Sequence, residues 1–262
     1  LAIRRENVFL NEERIMQSAN LNDFEKAIPN RPCDKTRDFL PHALISLGLV
    51  SIFFATVPEL DLKISRVFWD TASGFGKGRD PVLITFRDIN RDLPWIVIGI
   101  AAALLIANSF TTRMKRLAPP HKLLFVITFF AVGPGLGVEV IKRFVGRARP
   151  RALEEFGGSA MFTPPWDISD QCIRNCSFIS GEAASAFALL TLIVFFKPKY
   201  AKIYIGAVGV LAAAFSFNRV VFGAHFLSDV IIGWNVMWIL ALLLWRFFSR
   251  GATHIDAFLS RG

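Results

Sequence analysis

From Phe39 to Pro58 the chain reads FLPHALISLGLVSIFFATVP, and from Leu93 to Thr112 it reads LPWIVIGIAAALLIANSFTT. Neither stretch holds an Asp, Glu, Lys or Arg, and each runs for the roughly 20 residues that an α-helix needs to cross a ~30 Å hydrocarbon core. Working outward, four more apolar runs follow at 123–141, 178–196, 203–222 and 226–248, each with a charge near one end: Glu139, Glu182, Arg219 and Asp229. The whole chain is 53% hydrophobic and 13% aromatic, with a mean hydropathy of +0.44, above the apolar load of ordinary soluble domains. The pattern predicts an all-α, polytopic membrane protein with six transmembrane helices.

If the helices alternate up and down, all four intruding charges fall at the same end of the bundle. An ionisable group inside a span is costly and usually faces a cavity with a partner, so this end is the candidate site. Orientation follows from the opposite loops, where Arg113, Lys115, Arg116 and Lys122, then Lys197, Lys199 and Lys202, occur without an acid. Such loops stay in the cytoplasm, which places the site outside it. Between the first two spans, Leu60, Ile64, Val67 and Phe68 share one helical face, as do Val82, Leu83, Phe86 and Ile89. They are expected to form short interfacial helices beside the site, suited to a lipid entering sideways. The glycine-rich segment Ser73–Gly78 joining them lacks the Gly-Lys-Ser/Thr ending of a phosphate loop and reads as a flexible linker. The expected layout is a polar cytoplasmic lead-in at 1–37 with no assigned function, a six-helix domain at 38–250, and a cytoplasmic tail at 251–262. The formal charge of +9 is dispersed between apolar runs, which points away from nucleic acid and toward phosphate or anionic lipid.

Three clusters carry the chemistry. Lys142-Arg143-Phe144-Val145-Gly146-Arg147-Ala148-Arg149-Pro150-Arg151 packs cations without an acid. Lys142 and Arg149 lie seven apart, two helical turns, so both can face inward as a phosphate clamp before Pro150 ends the helix. Arg143, Arg147 and Arg151 are equally open to solvation or headgroup contact. Ser177-Phe178-Ile179-Ser180-Gly181-Glu182 opens a helix; taken alone, Ser180 is an ordinary N-cap and Glu182 a first-turn acid, although such an N-terminus also binds phosphate oxygens. Arg219 precedes His225 and Asp229, which lie four apart. On one helical face the carboxylate can accept one ring proton and present the other nitrogen as a nucleophile, with Arg219 completing the clamp. In isolation the same pair would merely stitch two helices together. No His, Cys, Asp or Glu group has metal-ligand spacing, so neither metal nor other cofactor is expected.

In order, Lys142-x6-Arg149-Pro150, Ser180-Gly181 and Arg219-x5-His225-x3-Asp229 resemble the three-part signature of the type 2 phosphatidic acid phosphatase superfamily, which includes lipid phosphate phosphatases, bacterial lipid A phosphatases and glucose 6-phosphatase. The resemblance implies that Lys142, Arg149 and Arg219 hold phosphate, Ser180 and Gly181 donate hydrogen bonds, His225 forms a phosphohistidine, and Asp229 orients it. It also implies a phosphorylated lipid substrate, lipid A or a related glycolipid first. Polyprenyl diphosphate, phosphatidylglycerol phosphate and phosphotransfer to a lipid acceptor are the alternatives, and a catalytically dead lipid-binding protein is a third class. A bacterial inner membrane with a periplasmic site fits that branch. The oligomeric state stays open. Asn218 stands where the family usually has serine, and Glu182 stands where it has the histidine that protonates the leaving group. Either Glu182 replaces that acid or the step needs less help, as with diphosphates and sugar 1-phosphates. Cys172 and Cys176 fall in the loop placed outside the cytoplasm, with Cys33 on the other side. An oxidising compartment favours a Cys172–Cys176 disulfide over two free thiols.

Overall fold

A computed structural model of the protein describes residues 36–108, 110–111 and 117–259. Nearly all of the expected lead-in, with Cys33, lies outside these residues, as do Arg113, Lys115, Arg116 and the last three residues of the tail.

Helix α1 spans Thr36–Thr56 and α2 spans Glu59–Val67; a short 3-10 turn, Gly76–Arg79, leads into α3, Pro81–Ala107. Helix α4, Pro120–Phe130, passes through a wide π turn at Ala131–Gly137 into α5, Val138–Val145. Helix α6, Gly181–Ala188, continues as a 3-10 segment, Leu189–Phe195. Then come α7, Pro198–Val221, α8, Leu227–Arg250, and α9, Ala252–Phe258, a short helix within the expected tail. No sheet forms among the described residues, which contain only two isolated bridges.

Local chemistry explains where the spans differ from expectation. Asp80 caps α3 by accepting from the backbone N–H of Val82 and Leu83, with Pro81 at the first helical position. That start signal merges the second amphipathic stretch with the second span into one helix of about 40 Å. Only α2 is therefore a separate helix of the kind expected between the spans. In the third span Pro134 removes a backbone donor, and the helix widens into the π turn rather than breaking.

Among the described residues, five helical stretches are long and apolar enough to cross a membrane: α1, α3, the run from α4 through α5, α7 and α8. The run expected to form the fourth span is the shorter helix Gly181–Phe195. The chain is a multi-pass membrane protein. Its outer faces are apolar where lipid would lie, with Leu44, Ile45, Leu49 and Ile52 exposed on α1, Trp95 and Ile100 on α3, and Ile203 and Val210 on α7. Inside, α8 packs against α1, α4 and α6, while α7 lies along α6. Phe125, Phe129, Phe178, Ile179, Phe215, Ile232 and Met237 fill the space between them. This packing brings the end of α5, the starts of α6 and α8, and the end of α7 to one place.

Candidate active site

Helix α5 ends at Val145, earlier than the spacing of Lys142 and Arg149 suggests, because Gly146 adopts φ +64°. A Cβ there would lie 2.0 Å from the Ser169 carbonyl oxygen, so no other residue fits this turn. Lys142 and Arg149 do line the same cavity, but Lys142 reaches it from the helix and Arg149 from the segment beyond. The loop bearing the cysteines holds Arg149 in place: Nε donates to the Asn175 carbonyl at 2.9 Å and Nη2 to Asn175 Oδ1 at 2.6 Å. Cys172 and Cys176 bracket that asparagine and are joined by a disulfide, with Cα atoms 5.5 Å apart.

Ser180 is the N-cap of α6, its hydroxyl oxygen accepting from Ala183 N at 3.2 Å. At Gly181 a Cβ would meet only ordinary contacts, 3.4 Å from Val138 Cγ1 and 3.8 Å from Lys142 Nζ, which places the start of α6 against that ammonium. Glu182 follows and divides its carboxylate. Oε1 lies 3.0 Å from Arg91 Nη2 and 3.3 Å from Arg219 Nη2, while Oε2 lies 3.4 Å from His225 Nε2.

His225 is fully buried in the turn before α8, where Gly223 at φ +57° brings the backbone against the Phe75 ring. Nδ1 lies 2.7 Å from the Ser177 carbonyl oxygen, which can only accept. This contact places the proton on Nδ1 and the lone pair on Nε2. The expected pairing with Asp229 is not direct, since Nδ1 to Asp229 Oδ2 is 3.7 Å. His225 precedes the helix instead of sharing a turn with Asp229, and Phe226 is the N-cap. Asp229 Oδ2 accepts from the Ser177 hydroxyl and from Phe226 N at 2.8 Å, so it acts on the histidine through Ser177 and the turn.

Behind Asp229 lies a buried network that the spacing of the motifs does not reveal. Arg147 is completely enclosed; Nη1 donates to Asp229 Oδ1 at 2.6 Å and to Ser228 Oγ at 2.8 Å, and Nη2 donates to Asp61 Oδ2 at 2.9 Å. Its guanidinium lies over the Phe226 ring, 4.1 Å from the centroid. Asp61, on α2, also accepts from Ser228 N at 2.9 Å. Burial pushes the Asp61 carboxyl up from its ordinary range, against the pull of Arg147. Asp61 counted in the sequence as one loop acid among several. Its one local signal is Ser65, the other buried residue of the helix, one turn further along.

A cavity of about 550 Å³ opens above these residues, lined by Arg79, Arg87, Arg91, Lys142, Arg149, Arg151 and Arg219, with Glu182 as the one acid among its lining side chains. Ser73, Gly74, Phe75 and Gly78 form part of its wall, so the glycine-rich segment is a built element of the pocket and not merely a linker. Arg219 Nε and Nη1 and His225 Nε2 are buried without hydrogen-bond partners. The two arginine donors in that state call for an acceptor, and seven cations against one acid make the cavity suited to an anion.

Comparison with known proteins accords with this geometry. Residues 121–252 match the model of the PAP2 superfamily. The lipid A 4'-phosphatase of Francisella tularensis subsp. novicida is 32% identical, over 77% of this chain and 96% of its own length. That of Rhizobium leguminosarum is 40% identical over 71% of this chain and 86% of its own length. The protein of the same name from Rhizobium etli is 32% identical over 71% and 78%. No solved structure matches the chain. The protein belongs to the PAP2 superfamily. It is a membrane-spanning phosphatase, a phosphoric monoester hydrolase.

Proposed function

We propose that the protein removes the 4'-phosphate from a lipid A-type glycolipid through a phosphohistidine at His225, in a bacterial inner membrane with the site facing the periplasm. The observation that carries this reading is the state of His225. Its Nδ1 is committed to the Ser177 carbonyl, and its unpartnered Nε2 lies 3.4 Å from Glu182 Oε2, directly behind the cationic cavity that Glu182 and Arg219 line. Lys142, Arg149 and Arg219 take the phosphate oxygens, with the N-terminus of α6 at Ser180 and Gly181 as a further donor site. Nε2 attacks phosphorus, forming the N–P bond as the P–O bond to the sugar breaks. Glu182 takes up the proton that the phosphate monoester brings into the site, and the departing oxygen receives it from Oε2, whose partner oxygen Arg91 and Arg219 hold. Water then attacks the phosphohistidine and gives its proton to the same carboxylate, releasing inorganic phosphate and restoring both groups.

The three relatives are all named for the 4'-position, which moves the substrate away from the sugar 1-phosphates that the missing family histidine favours. A 4'-oxygen leaves as an ordinary secondary alcohol, which needs an acid, and Glu182 is the group placed to serve. Orientation rests on Lys197, Lys199 and Lys202 at the opposite end, which are exposed. The test is acid-sensitive, base-stable labelling of the protein during turnover of lipid A labelled in its 4'-phosphate. His225→Ala should fold, as judged by thermal unfolding, yet neither take label nor release phosphate. Full turnover by that variant would end the phosphohistidine reading.

A further inference from the structure

We infer that Asp61 and Arg147 are positioning residues for the nucleophile, a relay by which the interfacial helix α2 sets the geometry of His225. The inference rests on the phosphohistidine reading and adds to it two residues outside the three-part signature. The path is continuous in hydrogen bonds: Asp61 to Arg147, Arg147 to Asp229, Asp229 to the Ser177 hydroxyl, and the Ser177 carbonyl to His225 Nδ1. All five residues are buried, with none of their surface exposed. Ser228 braces the first link, since its N–H and hydroxyl both contact Asp61 while its oxygen accepts from Arg147.

The chemistry of the step explains why such a relay is useful. As Nε2 bonds to phosphorus, the imidazole acquires positive charge, and the buried groups behind it are two carboxylates and one guanidinium. That set leaves a net negative charge facing the ring from a distance, without a carboxylate in direct contact to take the Nδ1 proton. Arg147 also fixes Asp229 in the orientation that holds Ser177. Loss of the Asp61 charge leaves Arg147 free to neutralise Asp229 more fully, and the ring loses both orientation and charge support. Asp61 does not line the cavity, so substrate binding is expected to be untouched.

Asp61→Asn preserves the shape of the contact and removes the charge. Expected is a fall of tenfold or more in kcat with KM unchanged, in protein whose thermal unfolding remains cooperative. Coupling gives the decisive readout: if Asp61 acts through Asp229, the double variant Asp61→Asn/Asp229→Asn should be no slower than Asp229→Asn alone within about threefold. Should Asp61→Asn destabilise the protein too far, Ser228→Ala, which removes only the brace, should lower kcat in the same direction and again leave KM unchanged. Normal kcat in both single variants, or losses that multiply in the double variant, would overturn the relay. Activity persisting in His225→Ala would instead overturn the nucleophile assignment on which it rests, so the two failures are distinguishable.

Discussion

Glu182→Gln isolates the proton-transfer role of the carboxyl, because the amide keeps the shape of the group. One oxygen can still face Arg91 and Arg219, now at 3.0 and 3.3 Å from Oε1, while the end near Nε2, now at 3.4 Å, can no longer exchange a proton. Positioned proton transfer is worth about 10²–10⁴ in rate, or ~3–5 kcal/mol of barrier at ~1.4 kcal/mol per decade. On the 4'-phosphate of lipid A, whose alcohol leaves poorly, kcat should fall by about that factor. On p-nitrophenyl phosphate the leaving group needs no acid, so the first step should stay fast and only the attack of water should slow. Stopped-flow recording should then show a burst of nitrophenol close to one per active site, followed by slow turnover and accumulated phosphoenzyme. Removing the carboxylate that competes for the arginines should also lower KM. Equal losses on both substrates without a burst would refute the leaving-group role, and unchanged rates on both would return Glu182 to a helix-start acid.

Two further perturbations test the frame around the site. Replacing Cys172 and Cys176 together by serine frees the Asn175 loop that anchors Arg149; about 1 kcal/mol of lost positioning corresponds to roughly a fivefold rise in KM, while an unchanged KM would show that Arg149 needs no such anchor. Gly146→Ala places a methyl group on the Ser169 carbonyl and forces a left-handed residue, a conformation costing about 1–2 kcal/mol for a residue with a Cβ before the clash is counted. The melting temperature should drop and activity should fall with it, because Arg147 and Arg149 both follow this turn; a stable, fully active variant would contradict the geometry.

The apolar stretches and the three motifs were legible because each rests on short-range rules. A charge-free run of about 20 residues is costly to expose to water, and a phosphate site needs cations, a helix start and a histidine in some order along the chain. That Lys142, Arg149, Glu182, Arg219 and His225 would gather at one end followed from counting helices up and down. Three things depended on the tertiary structure. Gly146 turns the chain four residues before Pro150, because its backbone abuts Ser169. His225 finds the Ser177 carbonyl rather than the Asp229 carboxylate, because the helix begins only after Phe226 and the ring lies outside the first turn. Asp61 and Arg147 meet although 86 residues separate them, and no local spacing encodes a contact made by packing α2 over the start of α8. Sequence by itself could determine which residues are able to do the chemistry; which oxygen holds which proton was decided by the fold, since buried polar groups must find partners wherever the packed chain supplies them.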